Sequence, residues 1–311
     1  MEKGLVSVIT PCYNGESYLD RYFNSILKQT YSKIELIFIN DGSTDSTEEI
    51  VKKYELLLKD KGIKFIYLSQ ENKGQAAALN YGLKYYSGEY VTWPDADDEM
   101  LPECIERKVE FMNSQLQCDL CICKVAQVQE GSPNKILEVL ERREPLKETL
   151  FEDLLYVKNV FYVPGGYMAR GRVIDRLIPN RDIYTGRGGQ NAQLLVPIAY
   201  EGNIGYLDDV LYKYYVRENS HSHSVREAEQ IIQQLKFFET ILIETLKRME
   251  IVDKDKYIKE IKEHYSHLEY GNAIDSQCRK TIKEQYSYLK QNAKVSFREK
   301  LLYIKYGILG L

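Results

Sequence analysis

Glu89-Tyr90-Val91-Thr92-Trp93-Pro94-Asp95-Ala96-Asp97-Asp98 reads as an apolar strand that runs into a turn and gathers three carboxylates, at residues 95, 97 and 98. Carboxylates crowded at a strand end repel one another unless a cation offsets them. Hard oxygen ligands at this spacing suit Mg²⁺ or Mn²⁺, ions that commonly keep coordination positions open for substrate phosphates. An Asp-rich turn also arises by chance, so the surrounding sequence has to decide. Upstream, Leu5-Val6-Ser7-Val8-Ile9-Thr10 is a β-branched apolar run ended by Pro11 and followed by the turn Tyr13-Asn14-Gly15. Ser17 or Asn14 is expected to cap the next helix, whose apolar positions Tyr18, Tyr22, Ile26 and Leu27 recur at helical spacing. The unit then repeats. Ile34-Glu35-Leu36-Ile37-Phe38-Ile39 predicts a buried strand, Asp41-Gly42-Ser43 a tight turn, and residues 44–58 a helix. Lys64-Phe65-Ile66-Tyr67-Leu68 predicts a third strand, followed by Asn72-Lys73-Gly74 and a helix over residues 75–85. Strands alternating with helices predict an α/β fold with a mostly parallel sheet. In such sheets ligands bind beyond the carboxyl ends of the strands, where four loops here carry polar residues: 11–14, 41, 72–73 and 95–98.

In that order, Val8-Ile9-Thr10-Pro11-Cys12-Tyr13-Asn14-Gly15, Ile39-Asn40-Asp41-Gly42-Ser43-Thr44-Asp45-Ser46-Thr47, Asn72-Lys73-Gly74-Gln75-Ala76-Ala77-Ala78-Leu79-Asn80 and Asp95-Ala96-Asp97-Asp98 resemble family 2 glycosyltransferases of the GT-A fold. The resemblance is strong over residues 5–112 and weaker to about residue 223. It implies a GT-A (Rossmann-like), mostly parallel sheet flanked by helices, with a C-terminal helical extension. It places a nucleotide-sugar-binding catalytic domain at residues 1–223 and a helical region at 224–311. It implies that Tyr13 lies near the nucleobase, with the backbone of Pro11 to Asn14 on the base edge, although the chain carries 26 tyrosines and Tyr13 also reads as a surface residue. It implies that Asp41 accepts from the base or ribose; Asp before Gly is also turn chemistry, and both readings hold together. Asn72 and Lys73 would approach the nucleotide. Many relatives carry Arg before Asn on the following helix, where this chain has Leu79 before Asn80.

Asp97 is the expected metal ligand, with Asp95 reaching the ribose or metal and Asp98 supporting the loop. A divalent cation, Mn²⁺ or Mg²⁺, would offset the charge that builds on a departing nucleoside diphosphate. The stretch Tyr212-Lys213-Tyr214-Tyr215-Val216-Arg217-Glu218-Asn219-Ser220-His221-Ser222-His223 resembles the segment that closes the site in this fold. His221, ahead of His223, is the expected second metal ligand, with Arg217 toward phosphate; both histidines also read as an exposed strand or loop. On the acceptor side, where inverting relatives carry an acidic pair, this chain reads Gly188-Gly189-Gln190-Asn191. Gln190 and Asn191 are placed in the catalytic set as groups that orient acceptor or donor sugar, because an amide is no general base near neutral pH. The missing base comes from elsewhere, such as Asp182 or Asp208; or the mechanism leans on metal and leaving group; or activity is lost.

With 311 residues, 44% hydrophobic and 28% charged, the chain buries a full core and has residues to spare for extra helices. A formal net charge of -4 argues against a nucleic-acid binder. The N-terminal apolar run is too short and too punctuated for a signal segment, and no stretch reaches membrane-spanning length, which predicts a cytoplasmic protein. Cys118, Cys121 and Cys123 lie in a strand-like pattern and read as buried thiols rather than a zinc site; six scattered cysteines give no disulfide framework. Helices are predicted over residues 226–249, 254–270 and 279–291. Residues 294–311 mix Lys294, Arg298, Lys300 and Lys305 with Phe297, Leu301, Leu302 and Ile304. That pattern fits a helix packed on its own domain or a peripheral contact with the inner face of a membrane. The expected partners are a nucleotide-sugar donor, with UDP favoured, and a hydroxyl of a glycan or lipid-linked acceptor, sugar transfer proceeding with inversion; an oligomer is compatible. The alternatives are a noncatalytic nucleotide-sugar or glycan-binding relative and, behind it, a nucleotidyltransferase.

Overall fold

The computed structural model describes residues 1–142, 149–186, 188–216 and 227–310. Chain contacts divide the protein into two compact units, Met1–Glu218 and Asn219–Leu311. The first is built on one sheet. Its strands are β1 (Glu2–Cys12), β2 (Ile34–Asp41), β3 (Lys64–Gln70), β4 (Gly88–Thr92), β5 (Glu99–Met100), β6 (Leu120–Gln129), β7 (Ser132–Leu140), β8 (Tyr167–Arg170) and β9 (Ile204–Val216). Between them run α1 (Leu19–Leu27), α2 (Thr47–Asp60), α3 (Gln75–Leu83), α4 (Cys104–Ser114), α5 (Leu150–Tyr156), α6 (Gly171–Leu177) and α7 (Gln190–Glu201). The strand order is β3-β2-β1-β4-β8-β6-β9-β5, with β7 on β6.

The strands read from sequence, β1 to β4, pair in parallel. The sheet becomes mixed beyond β4: β8 is antiparallel to β4 and β6, whereas β6 and β9 pair in parallel. The carboxyl ends of β1–β4, β6 and β9 therefore share one edge. Every residue of β2 is buried, as expected of a parallel strand covered on both faces. One core cluster joins Val6, Val8, Leu36 and Phe38 to Tyr22, Phe23 and Tyr54, with Phe23 stacked on Tyr54 at 4.9 Å.

Two local expectations are corrected. Neither Ser17 nor Asn14 caps α1, which starts after Tyr18 without a side-chain cap. Asn14 adopts a left-handed φ of 51° and turns its side chain to the next loop instead. Helix α2 begins at Thr47 rather than Thr44, because Asp45 Oδ1 accepts from the backbone N–H and hydroxyl of Thr47 and holds residues 43–46 as a turn.

The second unit comprises α8 (Ala228–Arg248), α9 (Lys254–Asp275), α10 (Arg279–Asn292) and α11 (Phe297–Leu302), the last running into a π-helical turn at Tyr303–Leu309. Ile232, Tyr270, Ala273, Ile282, Tyr286 and Leu289 form its core. Among the described residues no helix is long and apolar enough to cross a membrane. All six cysteines are unpaired, and all but Cys278 are buried.

Candidate active site

Parallel pairing carries the four loops that follow β1–β4 to one edge, and hydrogen bonds then fasten each to the next. The loop after β1 meets the loop after β2: Asn14 Oδ1 accepts from the Thr44 N–H at 2.9 Å, and the Asn14 and Gly15 N–H groups donate to Ser43 Oγ at 2.9 Å and Thr47 Oγ1 at 2.7 Å. The end of β2 meets the loop after β3 through Asp41. Its buried carboxylate accepts from the Lys73 and Gly74 N–H groups at 3.0 and 2.8 Å and from Gln70 Nε2 at 2.7 Å. Gly42 makes that approach possible, since its φ is +70° and a Cβ there would lie 2.6 Å from the Asn72 nitrogen. The third loop meets the fourth where Gln75 Nε2 donates to Asp95 Oδ1 at 2.5 Å.

The fourth loop holds the acidic cluster. Oxygen atoms of Asp95, Asp97 and Asp98 lie within 4.8 Å of one another, the only such group of three or more potential metal ligands among the described residues. Asp98 is buried; its Oδ1 accepts from the Tyr215 N–H at 3.0 Å, while its Oδ2 has no hydrogen-bond partner. Burial, with the added charge of Asp97, pushes Asp95 up to about 8, against the bond from Gln75. Burial, Asp97 and Asp95 likewise raise Asp98 well above the carboxylate range. Crowded carboxylate oxygens that repel one another, one of them buried and unbonded, are the donor set a hard divalent cation satisfies. These residues fit Mg²⁺ or Mn²⁺.

Tertiary contacts absent from any local motif fix this loop. Arg21, on α1, donates through Nη2 to the Asp97 carbonyl oxygen at 2.5 Å and through Nη1 to Glu130 Oε1 at 2.6 Å, with its guanidinium 3.6 Å above the centre of the Tyr215 ring. Trp93 Nε1 donates to Asn191 Oδ1 at 3.1 Å, and Asn191 Nδ2 donates to the Tyr162 carbonyl oxygen at 2.9 Å. Asn191 thus joins the first turn of α7 to the strand end that carries the acidic cluster. Gln190, the first residue of α7, is buried behind Gly189, whose φ of 73° sets the turn. Tyr13 stands at the rim with 47% of its surface exposed. Lys73 is exposed, whereas Leu79 is buried in the core. His221, His223 and Arg217 lie outside the described residues.

A protein-family model described as "Glycosyl transferase family 2" matches residues 7–178, more than half of the chain. This chain belongs to glycosyl transferase family 2. As a member it is 33% identical over 183 residues to an uncharacterized glycosyltransferase of Haemophilus influenzae, a match covering 52% of this chain and 72% of that protein. It is 28% identical over 226 residues to the glycosyltransferase GlyA of Streptococcus pneumoniae, covering 69% of this chain and 31% of that one. An uncharacterized Rickettsia typhi glycosyltransferase is 44% identical over 109 residues, and the match spans 32% of its length. Among solved structures, residues 1–349 of Staphylococcus aureus TarS in complex with UDP-GlcNAc superpose with a TM-score of 0.62 at 19% identity, covering 93% of this chain and 89% of that one. The mannosyltransferase PcManGT of Pyrobaculum calidifontis in complex with GDP-Man and Mn²⁺ gives 0.57 at 17% identity, covering 96% and 77%. These likenesses establish for the family 2 chain a GT-A-type α/β fold.

Sequence reading missed Arg21, Gln75, Tyr215 and the strut role of Asn191. Gln75 had a signal, directly following Asn72-Lys73-Gly74. Arg21 had none, since its target lies 76 residues away.

Proposed function

We propose that the protein transfers a sugar, with inversion, from a nucleotide donor, UDP-linked in preference, to a hydroxyl of a glycan or lipid-linked acceptor. The observation that carries this reading is the chain of four strand-end loops bonded one to the next, the last of them bearing three converging carboxylates. The similarity to the glycosyltransferase GlyA, and the folds shared with TarS bound to UDP-GlcNAc and the mannosyltransferase PcManGT bound to GDP-Man and Mn²⁺, support it.

In this reading the exposed ring of Tyr13 stacks on the base, and the Pro11–Asn14 backbone meets its edge. Asp41 and the segment it holds at Asn72 and Lys73 wall the nucleotide. Asp97, with Asp95 and Asp98 beside it, would hold Mn²⁺ or Mg²⁺, with His221 as the proposed further ligand. The bound ion supplies Lewis-acid stabilisation of charge on the departing diphosphate. Asn191 fixes the acceptor side through Trp93, and Gln190 orients the incoming hydroxyl. Proton removal falls to a carboxylate outside the amide pair. Asp208 is a poor candidate: its side chain is 92% exposed, it pairs with Lys124 at 2.6 Å, and it precedes Tyr215 on β9 by roughly 20 Å of strand. Asp182 is better placed. Its Oδ1 accepts at 3.0 Å from Asn80 on α3, the helix whose first residue bonds Asp95.

The test is a thermal-shift and transfer assay of the purified chain with nucleotide sugars, with and without Mn²⁺. A donor at a hundred times its Kd stabilises the folded state by about 2.7 kcal/mol. Asp97→Ala should keep the ligand-free melting temperature and lose both the Mn²⁺-dependent shift and transfer. A shift equal to that of the parent protein overturns the assignment. The amides at residues 190 and 191 favour one second reading, a noncatalytic nucleotide-sugar binder; binding would then persist with transfer and donor hydrolysis both absent.

A further inference from the structure

The C-terminal unit ends in a helix with two unlike faces. The inward face is anchored. Tyr303 stacks on Tyr286 with ring centres 3.8 Å apart, and the Glu299 carbonyl oxygen accepts from Tyr270 Oη at 3.0 Å. Glu299 Oε1 meets His267 Nδ1 at 2.6 Å, its Oε2 accepts from the Ser296 N–H at 2.7 Å, and the Arg279 guanidinium donates to the Ile308 carbonyl oxygen. The outward face is apolar: Phe297 is 77% exposed, Leu301 50%, Ile304 46%, Ile308 49% and Leu309 59%. Spacings of four, three and four residues from Phe297 to Ile308 put these side chains on one stripe. Exposed cations accompany it: Arg298, Lys300 and Lys305 along the helix and Lys294 just ahead of it. Glu299 is the only acidic residue in 294–310, and the bonds above turn it inward.

The geometry points to this face as a docking surface for an anionic lipid bilayer. An anchored helix with an apolar outer stripe and accompanying cations matches the headgroup–acyl boundary of a negatively charged leaflet. A second copy of the chain is the wrong occupant, because two such faces pressed together would set cations against cations with no acid between them. The inward anchors show why the helix survives without lipid: membrane contact requires no unfolding of the unit, only the burial of side chains that already point outward. Catalysis does not enter this inference, which stands or falls separately from the proposed transfer.

The test is co-sedimentation of the 311-residue protein with vesicles of phosphatidylcholine alone and of phosphatidylcholine mixed with phosphatidylglycerol. The parent protein should pellet with the mixed vesicles and remain in the supernatant with the neutral ones, and added salt should release it. Arg298→Glu with Lys305→Glu should lower partitioning at least tenfold, since each basic side chain near an anionic surface contributes about fivefold. Leu301→Glu with Ile304→Glu should abolish pelleting. Both double variants should keep the far-UV spectrum, melting temperature and donor-binding shift of the parent, because the altered side chains are exposed. Equal pelleting by parent and variants, equal pelleting with both vesicle types, or no pelleting of the parent overturns the inference. A concentration-dependent dimer in sedimentation velocity that Leu301→Glu with Ile304→Glu dissolves would assign the face to self-association and overturn it equally.

Discussion

Replacing Asn191 by alanine removes both ends of a strut: the acceptor for Trp93 Nε1 and the donor to the Tyr162 carbonyl. Trp93 is 1% exposed, so its N–H is left without water as a substitute, whereas the half-buried Tyr162 can recover part of its loss from solvent. An orphaned buried polar group costs about 1–3 kcal/mol, and the two together should cost about 2–4 kcal/mol. Trp93 is the only tryptophan in the chain, so urea unfolding followed by its fluorescence reads the loss at the strut itself. At a slope of about 1–3 kcal/mol per molar, the midpoint should fall by between roughly 0.7 and 4 M. Asn191→Asp sharpens the test. It keeps an acceptor for Trp93 but sets a carboxylate oxygen against the Tyr162 carbonyl in place of a donor, so it should destabilise comparably and leave transfer unimproved, even though it brings back one acid of the pair that relatives carry. A loss below about 0.5 kcal/mol in Asn191→Ala, with transfer abolished, would refute the strut and make the amide a group that acts on substrate.

Arg21→Ala should weaken Mn²⁺ binding about 10- to 100-fold by releasing the Asp97 carbonyl, the range typical of outer-shell contacts; titration calorimetry showing parental affinity would dismiss that role. In the C-terminal unit, Glu269 is fully buried with Oε1 unbonded, and burial plus the charge of Glu239, opposed by Lys236, raises it to about 7. The folded state therefore holds a proton that the unfolded chain releases near 4.3, so the contribution of Glu269 to stability should be most favourable below that pH and decline through about 7, by roughly 4 kcal/mol in all. Glu269→Gln should flatten this decline in urea unfolding compared at about pH 5 and 8, and an unchanged difference between the two would exclude Glu269 as its source. Cys278 is the one thiol outside the buried set, and hydrogen bonds from the Thr281 hydroxyl and backbone lower its pKa. Iodoacetamide should label it in the native protein before any other cysteine, and mass spectrometry finding early modification of Cys12 or Cys121 would contradict the buried packing.

Strands β1 to β4, the turns that end them and the acidic cluster after β4 were legible in the residues alone, because a strand covered on both faces must be a continuous apolar run and its polar exit is a local signal. The helical C-terminal unit was legible in the same way, through apolar residues repeating at helical spacing. Folding alone brought Asn14 onto Thr44 rather than to the cap of α1, Arg21 onto the Asp97 carbonyl, and Asn191 against Trp93. It also carried the sheet through β8 and β6 across to β9, whose Tyr215 N–H meets Asp98 from 117 residues away. A single side chain bonding to a partner that distant leaves no periodicity in its neighbours. Its role exists only once the strands have paired and brought the loops to one edge.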